Sequence, residues 1–301
     1  MRSGSSLTGD ILQQANGAFY VYEPFHMLQY AMEANNSTIL DLTNGSKRFP
    51  PYDFAEEAVQ ELYDWLTCDV ISLPTMALKD GFMNIGLKSR IFPLCLTEKI
   101  KTLNESDAIK MCAKQLQTVC TESSFRIVKT IRLEMSSVTH LLGMFPNLKI
   151  VHLVRDPRAT LVSQAYVGMC SGKHGGMLQC ANNLCKRVEN DILEKERIMS
   201  ELPGRIFPVV YEDIAREPIE TAKKLFDFIG ADFTEEAKEY IFNITKAGQE
   251  DNCAICTTRS NSTKHIDAWK TEMKTTLLNV VQERCNYVLR RYNYTILPYE
   301  S

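Results

Sequence analysis

The sequence predicts an α/β fold in which parallel strands are flanked by helices. Short apolar runs rich in β-branched and aromatic residues alternate along the chain with segments whose apolar residues recur at helical spacing. Charged residues follow several of these runs directly. Because the carboxyl ends of parallel strands meet at one edge of a sheet, where ligands bind, we expect the functional side chains at that edge. The 301 residues suit one domain, residues 1–301.

The net charge of −3 argues against a broad surface for nucleic acid, so a nucleotide ligand would need a local positive site. No apolar run reaches the roughly 18 residues of a membrane span, and no secretory signal is present. Ten cysteines and seven Asn-x-Ser/Thr sequons nevertheless favour an oxidising secretory compartment. The simplest explanation is that residues upstream of Met1 are missing. The pair Cys253 and Cys256 has CxxC spacing, but without a second pair it does not predict zinc.

The first element is a helix that begins near Ser5, after the turn Arg2-Ser3-Gly4-Ser5-Ser6. Free amides, hydroxyls and the Arg2 charge would cradle a phosphate-like group at this helix N-terminus. The turn lacks the Gly-Lys-Ser/Thr ending of a nucleoside-triphosphatase loop, which disfavours a magnesium-dependent kinase. Such a loop follows a strand, which we expect upstream of Met1. A flexible tail is the alternative interpretation.

The run Phe19–Tyr22 predicts a strand that ends at Glu23-Pro24. Glu23 is the candidate general base, and His26 is the second candidate. A capping or ion-paired role for Glu23 is the alternative. The pattern then predicts a surface loop over 31–50, a helix over 54–66, an irregular insertion over 72–107 and a helix over 108–119.

Residues 125–132 predict a further strand with Lys129 and Arg132 near its carboxyl end, and a helix over 136–144 follows. A lysine at this edge would stabilise negative charge on a leaving phosphate. The alternative interpretation is a solvated or paired charge.

The run 150–154 predicts a buried strand, and Asp156-Pro157 has the residue types of a helix N-cap and first helical position. Arg155 therefore lies where a strand ends and a helix begins. Its planar guanidinium suits phosphate, and Ser163 lies two turns into the helix. A surface arginine paired with Asp156 or Asp213 is the alternative.

The remaining segments alternate in the same way. We expect a cysteine-rich loop (168–180), a helix (183–199), a strand (207–211), two helices (221–229 and 235–243), a polar loop (257–270) and a closing helix (276–292). The polar loop carries Arg259, Ser260, Lys264, Trp269 and Lys270, which suit an anion.

Five segments together resemble the Golgi carbohydrate sulfotransferases: RSGSS, FYVYEP, LKIVHLVRDPRATLVSQ, VVYEDIAREP and TTRSNSTKHIDAWK. The likeness covers nearly the whole chain and is closest to enzymes that sulfate the 6-hydroxyl of galactose, N-acetylgalactosamine or N-acetylglucosamine. It implies a three-layer, P-loop-like sulfotransferase domain in the Golgi lumen. A stem and a type II membrane anchor would lie outside this chain.

The resemblance also implies metal-free transfer from 3′-phosphoadenylyl sulfate to a glycan or proteoglycan, with no role for nucleic acid. The residues that would hold the 5′-phosphosulfate are Arg2, Ser3, Gly4, Ser5 and Ser6. Arg155 and Ser163 would hold the 3′-phosphate, and the loop with Arg259, Ser260 and Trp269 would close over the nucleotide. Relatives often have Trp-Arg where this chain has Trp269-Lys270, and a lysine gives a point charge instead of the planar fork of an arginine.

The implied reaction is in-line attack by a sugar hydroxyl, in which positioning and charge stabilisation dominate. Glu23 would accept the hydroxyl proton, and Arg2 and Lys129 would stabilise developing charge. The alternatives are a tyrosylprotein sulfotransferase, a P-loop kinase and a truncated fragment that does not catalyse.

Overall fold

The computed structural model describes residues 3–34, 39–51, 53–170, 176–246, 248, 257 and 261–298. It has parallel strand pairs flanked by helices, which confirms the predicted α/β class. The chain divides into two compact units. We call Gly9–Leu133 the smaller unit, and Met1–Thr8 together with Glu134–Ser301 the larger unit.

The smaller unit is built on a parallel strand pair, β1 and β4, in which Tyr22 lies opposite Lys129. A small antiparallel pair, β2 and β3, accompanies it. The chain enters this unit through α1 (Ser5–Leu12). The elements that follow are β1 (Ala18–Tyr22), α2 (His26–Ala34), β2 (Leu40–Asp41), β3 (Lys47–Arg48), α3 (Phe54–Thr67), a 3₁₀ turn (Val70–Ser72), α4 (Thr75–Lys79), a 3₁₀ turn (Gly81–Asn84), α5 (Ile91–Lys99), α6 (Glu105–Thr121) and β4 (Phe125–Lys129).

Apolar packing holds this pair in place. Phe19 and Val21 of β1 lie in one cluster with Trp65 of α3, Phe92 of α5 and Leu116 of α6. All five residues of β1 are buried, so its side chains are withdrawn from water on both faces of the strand.

The larger unit is built on a second parallel pair, β5 and β6, whose last paired residues are Val154 and Val210. Its elements are α7 (Met135–Met144), β5 (Ile150–Val154), α8 (Pro157–Tyr166), α9 (Gly176–Glu201), β6 (Ile206–Val210), α10 (Tyr211–Arg216), α11 (Pro218–Ile229), α12 (Glu235–Thr245), a 3₁₀ turn (Ser262–His265), α13 (Trp269–Glu272), α14 (Thr275–Arg284) and α15 (Asn286–Arg291).

The start of α8 follows the predicted capping chemistry. The Asp156 carboxylate accepts a hydrogen bond from the Arg158 amide at 2.9 Å, and Pro157 occupies the first helical turn. The cap satisfies one amide that the helix leaves unpaired, and proline needs no partner there. Arg155 is therefore held at the strand-to-helix junction.

Several predicted boundaries are wrong. Residues 72–107, predicted to be irregular, contain α4, α5 and a 3₁₀ turn. The predicted loop 31–50 contains the end of α2 and the β2–β3 pair, and the predicted loop 168–180 contains the start of α9. The predicted strand 125–132 ends at Lys129, and Tyr211 belongs to α10 instead of β6. The single closing helix predicted over 276–292 is two helices, α14 and α15.

Within the described residues, four disulfides cross-link the chain, in agreement with the oxidising compartment that the cysteine count favours. They join Cys68 to Cys120, Cys95 to Cys112, Cys170 to Cys180 and Cys185 to Cys285. The Cys170–Cys180 bond closes the cysteine-rich segment as expected, whereas Cys253 and Cys256 lie outside the described residues.

Over the described ranges, none of the helices combines the length and apolar character needed to cross a membrane.

Candidate functional site

Arg155 and Tyr211 are brought together by the register of the larger unit's strands. Val154 pairs with Val210, so the residue after each strand emerges at the same edge. The Arg155 guanidinium carbon lies 4.4 Å from the centroid of the Tyr211 ring, within cation–π range. Nη2 of Arg155 also donates to the His265 carbonyl at 2.6 Å. Two contacts therefore orient this half-buried cation at the carboxyl end of the pair.

The N-terminal turn (residues 3–6) packs against the same tyrosine. Gly4 has a φ of +91°, and a Cβ placed on it would lie 2.3 Å from Cδ2 of Tyr211. Glycine is the residue that tolerates both this φ and this approach. Gly4 directly precedes α1, and its carbonyl accepts the first hydrogen bond of that helix, from the Thr8 amide at 3.0 Å. Ser5 and Ser6 form the first turn of α1, and Arg2 lies outside the described residues.

Tyr211 is the residue that the sequence analysis missed. Its buried ring contacts Gly4 on one side and lies beneath Arg155, and its hydroxyl donates to the Ser262 carbonyl at 3.3 Å. The available signal is a tyrosine at the end of the apolar run, but the pattern there predicts that the strand continues through Tyr211.

Asp156 pairs with Arg158 of α8, a residue to which the sequence analysis gave no role. Arg158 is 1% exposed, and its Nε and Nη2 donate to the Asp156 carboxylate at 3.0 and 2.7 Å. Nη1 donates to the Gln282 side chain at 3.1 Å and to the Thr295 carbonyl at 2.7 Å. The guanidinium carbon lies 3.9 Å from the Trp269 ring centroid. We call Arg158 and these contacts the buried hub. The buried hub joins the start of α8 to the C-terminal segment.

A second buried carboxylate supports the hub. Glu212 accepts from the Asp156 amide at 3.1 Å and from the Tyr294 hydroxyl at 2.8 Å. Burial raises the pKa of Glu212, which makes these two donors important for holding it ionised.

The structure describes some of the other residues that were predicted to bind the nucleotide. Ser163 lies half-buried on α8, whereas Arg259 and Ser260 lie outside the described residues. Trp269 is 2% exposed and covers Arg158, so it packs inside the larger unit. Lys270 forms an exposed ion pair with Asp267 at 2.9 Å.

Glu23 forms a separate centre in the smaller unit. It is 2% exposed, and its two carboxylate oxygens accept hydrogen bonds from Lys129 and Arg132. Its amide donates to the Lys129 carbonyl at 2.8 Å, and its φ of 49° lies in the left-handed region. Such a conformation in a non-glycine residue costs about 1–3 kcal/mol and clusters at functional sites. The Lys129 ammonium also lies 4.3 Å from the Tyr22 ring centroid.

His26, the second candidate base, lies beside this centre in sequence and begins α2. Its Nδ1 is 2.8 Å from Oδ2 of Asp80. Because a carboxylate accepts only, Nδ1 is the protonated nitrogen in this pair. Among the described residues, no group of three or more His, Cys, Asp or Glu side chains is placed to hold a metal ion.

A family model described as "Sulfotransferase family" matches residues 1–235. The chain belongs to the sulfotransferase family. The predicted family is therefore confirmed. This sulfotransferase is 26% identical over 324 residues to Carbohydrate sulfotransferase 5 of Mus musculus, which covers 97% of the chain and 78% of the relative. It is also 26% identical over 326 residues to Carbohydrate sulfotransferase 3 of Homo sapiens, covering 98% and 66%.

Among solved structures, this sulfotransferase is similar to the "Sulfotransferase Domain from the Curacin Biosynthetic Pathway". The identity is 18% and the TM-score 0.47, with 92% of this chain and 98% of the other covered.

Proposed function

We propose that this sulfotransferase transfers a sulfuryl group from 3′-phosphoadenylyl sulfate to a sugar hydroxyl of a glycan or proteoglycan. The 6-hydroxyl of galactose, N-acetylgalactosamine or N-acetylglucosamine is the proposed position. One observation carries the proposal: Gly4 of the N-terminal turn and the Arg155 guanidinium contact the same Tyr211 ring. A ligand with a phosphate at each end of an adenosine needs two such anion-binding elements in one place.

The residues suit that donor. The start of α1 offers backbone amides and the Ser5 and Ser6 hydroxyls, and a helix N-terminus favours anions. We assign the phosphosulfate to Arg2, Ser3, Gly4, Ser5 and Ser6. A Cβ at Gly4 would fill the space beside Tyr211, so the backbone can lie closer there than a side chain allows.

We assign the 3′-phosphate to Arg155 and Ser163, with Arg259 and Ser260 as further nucleotide contacts. Arg155 is already stacked and hydrogen-bonded, so little side-chain entropy remains to be lost on binding. When bound, the donor supplies an activated sulfuryl group on a phosphate leaving group. The proposed reaction uses no metal ion.

The proposed general base is Glu23, a carboxylate at the carboxyl end of β1. Lys129 and Arg132 hold it in one orientation, so it is pre-positioned to accept a hydroxyl proton. Lys129 is the proposed partner of developing negative charge, since its ammonium is buried at the same strand edge.

The proposed location is the Golgi lumen. The four disulfides support an oxidising compartment, and the seven sequons suit a secretory protein.

Calorimetry with adenosine 3′,5′-bisphosphate tests donor binding, with the variants Gly4→Ala and Gly143→Ala compared with the unaltered chain. Gly143 has nothing within 4 Å of an added Cβ, so Gly143→Ala is the matched control. We expect Gly4→Ala to weaken binding at least tenfold and the control to bind normally. Unchanged binding by Gly4→Ala would remove the assignment of this turn.

Transfer of radiolabelled sulfate tests the reaction and the acceptor class. We expect label on oligosaccharides that end in galactose, N-acetylgalactosamine or N-acetylglucosamine, and none on an acidic tyrosine peptide. Label on the peptide alone would identify a tyrosylprotein sulfotransferase and contradict the proposal.

A further inference from the structure

Four rings of the smaller unit form a continuous row that begins at the proposed base. Tyr22, the residue before Glu23, lies edge-on to Phe82 with ring centroids 5.0 Å apart. Phe82 lies 4.5 Å from the ring of His26, and His26 lies 5.0 Å from Tyr30. We call Tyr22, Phe82, His26 and Tyr30 the aromatic row.

The aromatic row runs from the interior to the surface. Tyr22 is buried beneath the Lys129 ammonium, Phe82 and His26 are half-buried, and Tyr30 is 60% exposed. His26 and Tyr30 are four residues apart on α2, so they share one helix face. A ligand lying on the accessible part of the row would contact Tyr30, His26 and Phe82, and Tyr22 connects these rings to Glu23.

The row also has an oriented polar group. Asp80 accepts from the Phe82 amide through Oδ1 at 2.9 Å and from Nδ1 of His26 through Oδ2 at 2.8 Å. It therefore fixes the backbone at Phe82 and the ring of His26, and it keeps a proton on Nδ1, which leaves Nε2 as the second polar nitrogen of that ring. Among the described residues, Nε2 of His26 has no hydrogen-bond partner. A hydroxyl of a ligand lying on the row would suit it.

We propose that the aromatic row binds the sugar rings of the acceptor chain and leads its reacting hydroxyl to Glu23. A pyranose has an apolar C–H face and a hydroxyl-bearing edge. The C–H face suits the negative face of an aromatic ring, and the hydroxyl edge suits Nε2 of His26. The row is continuous with the Glu23–Lys129 centre through Tyr22, which is why the acceptor is the occupant instead of a protein partner. This inference rests on the proposed function.

The test uses Tyr30, because its exposure makes a substitution compatible with folding. Tyr30→Ala removes the ring, Tyr30→Phe retains it, and Phe49→Ala removes a 72% exposed ring elsewhere in the smaller unit. With an unsulfated oligosaccharide as acceptor, we expect Tyr30→Ala to raise the acceptor KM about 5- to 10-fold. The donor KM and kcat should stay within about twofold of the unaltered chain. Tyr30→Phe and Phe49→Ala should have unaltered constants.

Saturation-transfer NMR with the same oligosaccharide gives a readout that does not need catalysis. We expect saturation of the sugar C–H protons with the unaltered chain and with Tyr30→Phe, and a clear loss with Tyr30→Ala. Normal sulfation together with an unchanged acceptor KM and unchanged NMR transfer in Tyr30→Ala would overturn the inference and leave the proposed function standing. Absence of both sulfation and binding of any sugar by the unaltered chain would overturn both.

Discussion

The guanidinium of Arg155 lies over the Tyr211 ring at 4.4 Å, because both residues directly follow paired positions of β5 and β6. A lysine at position 155 would keep the charge but lose the planar stack and the two-donor fork. We therefore expect Arg155→Lys to weaken adenosine 3′,5′-bisphosphate binding about 10- to 100-fold, as measured by calorimetry.

Arg290→Lys is the control for this change. Arg290 is exposed on α15 and donates to Asn286 within the same helix, so its replacement should leave the affinity unaltered. Equal affinities for Arg155→Lys and the unaltered chain would show that the strand-end arginine does not hold the nucleotide.

Glu23→Gln tests the proposed base. The amide cannot accept the hydroxyl proton, so we expect kcat to fall at least about 100-fold while affinity for adenosine 3′,5′-bisphosphate is retained. The variant should also unfold at a lower temperature, because Lys129 and Arg132 lose their buried counter-charge. The rate is therefore measured well below the unfolding temperature of the variant.

The matched control is Glu105→Gln, since Glu105 also pairs with a lysine, Lys79, at 2.6 Å but is exposed. Its kcat should equal that of the unaltered chain. A Glu23→Gln variant with near-normal kcat would assign the carboxylate a purely structural role in its ion pairs.

Arg158 is predicted to stabilise the fold. Arg158→Ala leaves Asp156 buried without its cation and removes the ring contact with Trp269. Breaking a buried pair from one side costs about 3–5 kcal/mol, so the urea midpoint should fall markedly.

The comparison for Arg158 is Arg197→Ala on α9, whose ion pairs with Glu194 and Glu201 are exposed. Exposed pairs add little stability, so its urea midpoint should stay unchanged. If both variants had the same midpoint, the buried hub would not contribute to stability.

Asp64 predicts a pH dependence of stability. Burial, the largest cause, raises the pKa of this carboxyl on α3 to about 6 in the folded chain. In the unfolded chain the pKa is about 3.9. Between these values the folded state binds more protons, so the contribution of Asp64 to stability falls as pH rises from about 4 to about 6.

We expect Asp64→Asn to raise the unfolding temperature at pH 7.5 and to leave it unchanged near pH 3.5, where the carboxyl is protonated in both states. The gain corresponds to roughly 1–3 kcal/mol. Asp41→Asn is the control, because Asp41 is exposed beside Lys47 and should show no such trend. A gain of equal size at both pH values would refute the titration of Asp64 as its cause.

Local patterns predicted the elements that carry the proposed site. The run 150–154 with Asp156-Pro157 after it gave both the strand β5 and the start of α8, since apolar period and cap chemistry act over a few residues. The same logic failed over 72–107, where α4 and the 3₁₀ turn are too short to show a period. The disulfide between Cys95 and Cys112 also links that segment to α6.

The sequence by itself determined the α/β class, the family and the residue types of the proposed site, because these depend on local periodicity and on motifs that can be compared one by one. Tertiary structure decided which of these residues meet. Strand register placed Tyr211 under Arg155, and a turn with positive φ placed Gly4 on the same ring. Packing within the smaller unit also brings Lys129 and Arg132 to the Glu23 carboxylate, although they lie 106 and 109 residues away in the sequence. Such pairings depend on how distant segments pack, and no local pattern encodes that.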